Sequence, residues 1–489
     1  MFNKGIKNIF FVSFFAALFA LYSNGFSQKV YDFNKKYGPA QLKEDATIAK
    51  KAILKMHPVI GIYDSKDYFE KKFDEFINSL NDSLTEKQFR IKLKMLVQNF
   101  KCGHTDVFYS TKYLKASKKR QLNFPGYYLM PFNDTVKVLA GLNKKKDTLI
   151  KAGTVITKIN GLKADSFLHY SRQLITADGY VNESKLLFSR LGFNNYYLSL
   201  LNYPDTLCYE CTRDGVSFTK KAATFKATAF PDLKFLKRDD STYVKYKKAA
   251  MSYKFMDAEK KTMRLNLYRF SGNKFTKAYR KVFRQMRKNK TENLIIDLRL
   301  NGGGSLANCH VLLKYLLNQT VTQTSYTLIK KYPEKKYTGW NMPLRMARLF
   351  YRMAGHKIHK HDTDIYTLKI KPYKRHHYDG KIYVLIDGGS FSASCMLSEY
   401  LKETKRAVFI GRETGGTASG CNAVTTTMYK LPNTGLKVRV PAFRLNHDVY
   451  KGDKSGRGIL PDYEITPTLH SFITRTDLEM KKVNELINQ

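Results

Sequence analysis

Two strand-to-helix turns and one histidine carry the residue types of acyl-transfer chemistry. In Val384-Leu-Ile-Asp387-Gly388-Gly389-Ser390-Phe391-Ser392-Ala393-Ser394, a serine cluster follows an apolar run and precedes a helical stretch that begins at Ala393. That position suits a nucleophile, and it equally suits a helix cap. It is not the G-x-S-x-G elbow, because Phe391 and Ala393 flank Ser392 directly and no glycine lies two residues away. In Leu294-Ile-Ile-Asp297-Leu-Arg299-Leu-Asn301-Gly302-Gly303-Gly304-Ser305, a buried strand turns through three glycines into a second helix. Glycines let backbone N–H groups approach a ligand, and a helix N-terminus adds partial positive charge, so this turn suits an anion. Neither G-x-x-x-x-G-K-[ST] nor G-x-G-x-x-G is present, which removes the nucleotide motifs. The other anion such a turn holds is the oxyanion of a tetrahedral intermediate. His104, in Phe100-Lys101-Cys102-Gly103-His104-Thr105, falls where a helical pattern gives way to a strand, a junction at which a side chain can face a cleft.

The elements that must position these residues are legible as periodicities. Residues 40–101 place Ile48, Ala52, Ile53 and Met56, then Phe69, Phe73, Phe76 and Ile77, at helical spacing. Residues 125–230 are richer in β-branched and aromatic residues. There Gly153 leads a strand that alternates Val155, Thr157 and Ile159 and closes on the hairpin signal Asn160-Gly161, before a helix near Ala164 to Leu174. From about residue 262 strands and helices alternate: Met263 to Tyr268, Lys274 to Met286, Leu294 to Leu298, Leu306 to Leu317, Ile382 to Ile386, Ala393 to Leu401 and Ala407 to Ile410. This is the pattern of an α/β multi-domain protein with a buried sheet. Residues 330–381 carry a net charge of +10 over 52 residues and read as a basic insertion. Within it, Trp340 to Ala354 fits either an amphipathic lid or packing helix, or an interfacial helix on an anionic membrane.

At 489 residues, 43% hydrophobic and 26% charged, the chain is that of a folded protein of several domains rather than a disordered one. Its net charge of +44 attracts phosphate, lipid headgroups or acidic polymers without choosing among them. Residues 1–27 combine Lys4 and Lys7 with an apolar run of 14 residues, Ile9 to Tyr22, and small residues before Ser27. The run is shorter than the ~20 residues a spanning helix needs, so we expect an export signal cleaved near Ser27 and a periplasmic or extracellular mature chain.

The six cysteines are irregularly spaced. Cys208-Tyr-Glu-Cys211 lacks a second CxxC or a nearby histidine to complete a zinc site, leaving a local disulfide or two free thiols. Cys309 and Cys395 sit in apolar stretches and read as buried thiols. His356, His359, His361, His376 and His377 cluster in the insertion among lysines that repel a cation, and read as solvated loop.

Four motifs together resemble the S41 serine peptidases, the family of carboxyl-terminal processing proteases and tricorn-like proteases. They are Asp297-Leu-Arg299-Leu-Asn301-Gly-Gly-Gly304, Ser390-Phe-Ser-Ala-Ser394, Gly411-Arg-Glu-Thr414-Gly415-Gly416 and Gly458-Ile-Leu-Pro461-Asp462, in the family's order. The stretch Gly153 to Gly161 is similar to the family's PDZ-type module. With the export signal at 1–27, the N-terminal helical domain at 28–120 carrying His104 and the insertion 330–381 read from the residues, the resemblance implies a PDZ-like module at 121–235 and a ClpP/crotonase-like α/β core at 236–475. It puts the nucleophile on Ser392 and the oxyanion donors on Gly303 or Gly304 and Ala393. Where the processing branch has a lysine base, this chain has Thr417. The tricorn-like branch uses a histidine ahead of the module, which makes His104 the general base, with His447 the runner-up. Its acidic orienting residue corresponds to Ser455, with Asp453 nearby as a substitute.

The resemblance therefore implies an exported serine endopeptidase acting on protein or peptide substrates through an acyl-enzyme, without metal or organic cofactor. The charge adds an anionic membrane or envelope surface as a partner. A catalytically inactive peptide- or ligand-binding protein on the same scaffold is the alternative, motivated by the missing lysine. No nucleic-acid partner is expected, since no such motif with interleaved aromatics occurs.

Overall fold

A computed structural model of the chain describes residues 31–142, 150–228, 242–329, 335–338, 363–418, 420–422, 426–447, 449–453 and 455–489. The apolar runs Asn293–Asp297 and Lys381–Ile386 are central strands of a seven-stranded sheet. Its order is Val244–Tyr246, Met251–Phe255, Thr262–Leu267, Asn293–Asp297, Lys381–Ile386, Val408–Gly411 and Tyr463–Glu464. The first two pairings are antiparallel and the rest parallel. Parallel strands need crossovers, and helices Phe275–Lys288, Leu306–Leu316 and Ala393–Glu403 supply them. In the first of these, Phe275, Ala278, Tyr279, Val282, Phe283 and Met286 form the buried stripe.

The strand period of two splits the core between the faces of the sheet. Leu294, Ile296, Val384 and Ile386 pack with the three crossover helices. Ile295, Tyr383, Leu385 and Ile410 meet Met480 and Val483 of the helix Leu478–Ile487 on the other side.

Residues 122–227 have a core of their own. A sheet in the order Val216–Ala223, Thr206–Arg213, Val155–Ile159, Thr135–Gly141, Tyr127–Phe132 packs against helices Ala164–Gln173 and Glu183–Leu200 through Phe167, Phe193 and Tyr197. The expected Asn-Gly hairpin is present, with Asn160 at φ 49° and Gly161 at φ 78° joining Val155–Ile159 to Leu162–Lys163. Cys208 and Cys211 are three apart on the strand Thr206–Arg213, which points them to opposite faces, and all six cysteines are free thiols.

The N-terminal helices Pro39–Met56, Lys66–Asn78 and Glu86–Val97 share one core with Tyr429, Leu431, Val438, Val440 and Phe443, from the far end of the chain. The insertion leaves the body through the antiparallel strands Val321–Ile329 and Thr363–Ile370. The stretch Trp340 to Ala354 and the segment 1–27 lie outside the described residues.

Candidate active site

The two candidate turns lie side by side because the strands before them pair in parallel, and both open at the carboxyl ends of those strands. Hydrogen bonds stitch them together. Phe391 N–H and Ser394 Oγ donate to the carbonyl of Asn301 at 3.0 and 2.9 Å, Ser390 Oγ to that of Leu298 at 2.8 Å, and Leu300 N–H to Asp387 Oδ1 at 2.9 Å.

Ser392 stands at the N-terminus of helix Ala393–Glu403 with φ 57° and ψ −116°, a conformation an L-residue adopts only at a cost of about 1–3 kcal/mol. It caps nothing, since its side chain accepts no hydrogen bond from the helix. The cap reading of this serine fails for that reason. Ala393 N–H has no acceptor among the described residues, as befits the first residue of a helix. Gly303, at φ 92°, lies against this turn so closely that a Cβ there would come within 2.6 Å of Phe391 O and 2.8 Å of Ser392 Cβ. Its own N–H is given to Asn301 Oδ1 at 2.9 Å, whereas Gly304 N–H is without an acceptor among the described residues. Of the two glycines, Gly304 thus retains the free amide.

His104 sits on the loop between Phe100 and the strand Asp106–Phe108, which pairs with Lys437–Pro441. Arg439 from that partner strand donates to the His104 carbonyl at 2.6 Å and fixes the loop. The imidazole lies on the Phe391 ring, centroids 4.7 Å apart, so the fold brings it beside the residue adjacent to Ser392. Burial, reinforced by the Arg439 charge, lowers its pKa to about 3 and keeps it neutral, the form that accepts a proton.

Neither expected orienting residue, Asp453 or Ser455, has a hydrogen bond to this ring among the described residues. Asp453 and Ser455 are exposed and bind one another, Ser455 N–H donating to Asp453 Oδ1 at 2.7 Å. The carboxylate that approaches His104 is Asp178, from the segment after helix Ala164–Gln173, with its Oδ1 accepting the Gly103 N–H at 2.7 Å. Sequence reasoning missed it. Asp178-Gly179 is an ordinary turn signal, and nothing in spacing links it to residue 104.

Residues 261–465 match the family model of Peptidase family S41. The match spans 205 of the 489 residues, and that segment is similar to the family. S41 peptidases are serine-type, and this chain is a serine-type peptidase. No curated protein matches the chain. Among solved structures it is similar to mature CPAF, 14% identical, covering 92% of this chain and 97% of that one with a TM-score of 0.62. Mature CPAF complexed with lactacystin is matched at 14% identity, 92% of this chain, 98% of that one and a TM-score of 0.62. At that identity the likeness shows the fold.

Within the S41 segment, the remaining motifs brace the turns. Asp297, fully buried, holds Arg264 at 2.6 Å and Arg299 at 2.9 Å, and Arg299 reaches on to Asp477 and Glu479 at 2.8 and 3.0 Å. Glu413 binds Arg457 at 2.8 Å and the Gly458 N–H at 2.7 Å, clasping the motif at Gly411 to that at Gly458. Thr417 is buried, and its hydroxyl donates to the Gly420 carbonyl at 2.9 Å, so the position of the family lysine holds no base. The backbone of His447 pairs with Ser325, and its side chain lies outside the described ones. His376 meets Arg287 and His377 meets Asp379, while His356, His359 and His361 are outside the described residues.

The one convergence of potential metal ligands among the described residues is at the site itself, where atoms of Cys102, His104 and Asp178 lie within 4.8 Å of one another. The set suits a cation poorly. Burial pushes the Cys102 thiol up to about 11, and the charges of Arg439 and Arg444 act on His104 and Asp178.

Proposed function

We propose that the mature chain is an exported serine endopeptidase that cleaves peptide bonds through an acyl-enzyme. In this reading Ser392 Oγ attacks the scissile carbonyl carbon while His104 takes its proton. The oxyanion is received by the N–H groups of Ala393 and Gly304. The C–N bond then breaks, His104 returns the proton to the leaving amine, and water deacylates Ser392 by the same route. The observation that carries it is Ser392 held at positive φ at a helix N-terminus while the His104 ring lies on its neighbour Phe391. Strain of this kind at a polar side chain is kept where function needs it.

Residues 121–235 serve in this proposal as a PDZ-like module. Val216–Ala223 is an edge strand of its sheet, the position at which an extended substrate would add by strand pairing. Export by residues 1–27, to the periplasm or beyond, belongs to this reading through the short apolar run that follows Lys4 and Lys7. No described helix is long and apolar enough to cross a membrane. The net charge of +44 favours an anionic membrane or envelope surface as its working place.

The test is hydrolysis of an unstructured protein by the purified chain lacking residues 1–27. Cleavage is expected from the wild type and not from Ser392→Ala. Tight peptide binding equal in both, with no cleavage in either, would mean a binding protein on the peptidase scaffold.

A further inference from the structure

We propose that Asp178 is the positioning residue of this site, its carboxylate orienting the imidazole of His104. The inference rests on the assignment of Ser392 and His104 above, and adds a third member drawn from residues 121–235 instead of from 453–455.

Three independent features converge on it. His104 Nδ1 and Asp178 Oδ2 are both shut off from solvent and neither has a hydrogen-bond partner, yet they belong to side chains whose ligand-type atoms approach within 4.8 Å. Two buried polar atoms of complementary kind left unpaired side by side are expected to pair, since a buried donor or acceptor without a partner is costly. The other carboxylate oxygen is already fixed by the amide of Gly103, the residue next to the base, so the group cannot swing away. The backbone is built to admit it. Gly179 adopts φ 54°, donates its N–H to Lys101 O at 2.9 Å, and packs so tightly that a Cβ would strike the Gly456 carbonyl and come within 2.7 Å of Thr417 Cγ2. The side chain of Asp178 and the backbone of its neighbour Gly179 are thus both tied to the loop that bears His104.

His104 remains partly exposed although its Nδ1 is buried, which leaves the far edge of the ring to face the cleft. With Nδ1–H given to Asp178, the neutral tautomer leaves Nε2 unprotonated and able to take a proton, and the imidazolium formed during attack meets a carboxylate. Arg444, Tyr63, Cys102, Cys395 and Cys421 bear on Asp178, and Arg439 on His104. Burial pushes Asp178 up to about 6, countered by the Gly103 amide and Arg444, so the carboxylate is charged at neutral pH and protonates just below it.

The experiment uses the full mature chain and a fluorophosphonate probe, comparing wild type, Asp178→Asn and Asp178→Glu. The rate of labelling is followed from about pH 5 to 9, together with the proton spectrum of histidine-labelled protein. Asp178→Asn is expected to label about 100- to 10,000-fold more slowly, because the imidazolium formed during attack loses its neighbouring charge. Asp178→Glu is expected to recover part of the rate. The wild type is expected to show a downfield Nδ1–H resonance from His104 that the Asn variant lacks. Labelling of Asp178→Asn within about threefold of wild type at all pH values, or an Nδ1–H resonance indifferent to the substitution, overturns the proposal. The resonance is read on resting protein and separates two failures. An unreactive wild type whose resonance depends on Asp178 keeps the pair and removes the serine assignment. A reactive wild type matched by Asp178→Asn does the reverse. If Asp178→Asn does not fold, the Glu variant and the wild-type resonance decide alone.

Discussion

The imidazole of His104 lies on the ring of Phe391, centroids 4.7 Å apart, although 287 positions separate the two residues in sequence. The contact exists because the loop bearing His104 is pinned by the strand Lys437–Pro441, through Arg439, while Phe391 is pinned by the glycine turn through the Asn301 carbonyl. Two unrelated stretches of chain are thereby set on either side of one cleft, each by backbone hydrogen bonds rather than by side-chain packing alone. Four consequences can be measured.

Replacing Ser392 with glycine removes the hydroxyl and relieves the positive φ together. Ser392→Gly is expected to lose hydrolysis entirely and to gain about 1 kcal/mol of stability in denaturant melts, the relief of strain outweighing the added chain entropy. A destabilised variant would mean that the turn is relaxed.

Gly303→Ala tests the close approach of the two turns. A methyl group at φ 92° would meet Phe391 O at 2.6 Å and Ala393 N at 2.9 Å, pushing the nucleophile turn away. Activity should fall about 100-fold or more, with a loss of a few kcal/mol in stability. Near-wild-type activity would place the oxyanion elsewhere.

Thr417→Ala removes a buried hydroxyl that serves the Gly420 carbonyl. With His104 as base, its activity should stay within about threefold of wild type, at a stability cost of about 1 kcal/mol. A severe loss of activity in a folded variant would move the base assignment toward this position.

His57 is fully buried, linked to Thr105 Oγ1 at 2.6 Å and to the Val59 N–H at 3.1 Å. Burial, with the Arg444 charge, lowers its pKa from 6.5 to about 3. The unfolded chain therefore binds a proton that the folded chain refuses, and the stability this group contributes is present above pH 6.5 and lost as pH falls toward 3. Against His57→Gln, wild-type stability should decline more steeply across that window and run parallel to the variant above it. Parallel curves throughout would show that His57 titrates normally.

Much of the core was legible because its determinants are local. The unbroken apolar runs at Leu294 and Ile382 announce strands buried on both faces, and the stripe from Phe275 to Met286 announces the helix that covers them. The strained serine was legible as a turn, although its hydroxyl could equally have capped the helix until its dihedral angles were known. Partners made by tertiary packing were not legible. Asp178 carries no signal beyond an Asp-Gly turn, and its meeting with Gly103 depends on how residues 122–227 dock on the N-terminal helices. Asp453 and Ser455, aligned by resemblance, bond to one another at the surface. Nor could periodicity reveal that the N-terminal helices close their core with Tyr429 to Phe443, more than 300 residues away.

Peptide mapping of the mature chain after treatment with a fluorophosphonate tests the central claim most directly. A single adduct is expected on Ser392, formed by the native wild type, absent after denaturation, and slowed about 1,000-fold or more in His104→Ala. An adduct on another residue, or equal labelling with and without the imidazole of His104, would contradict the account.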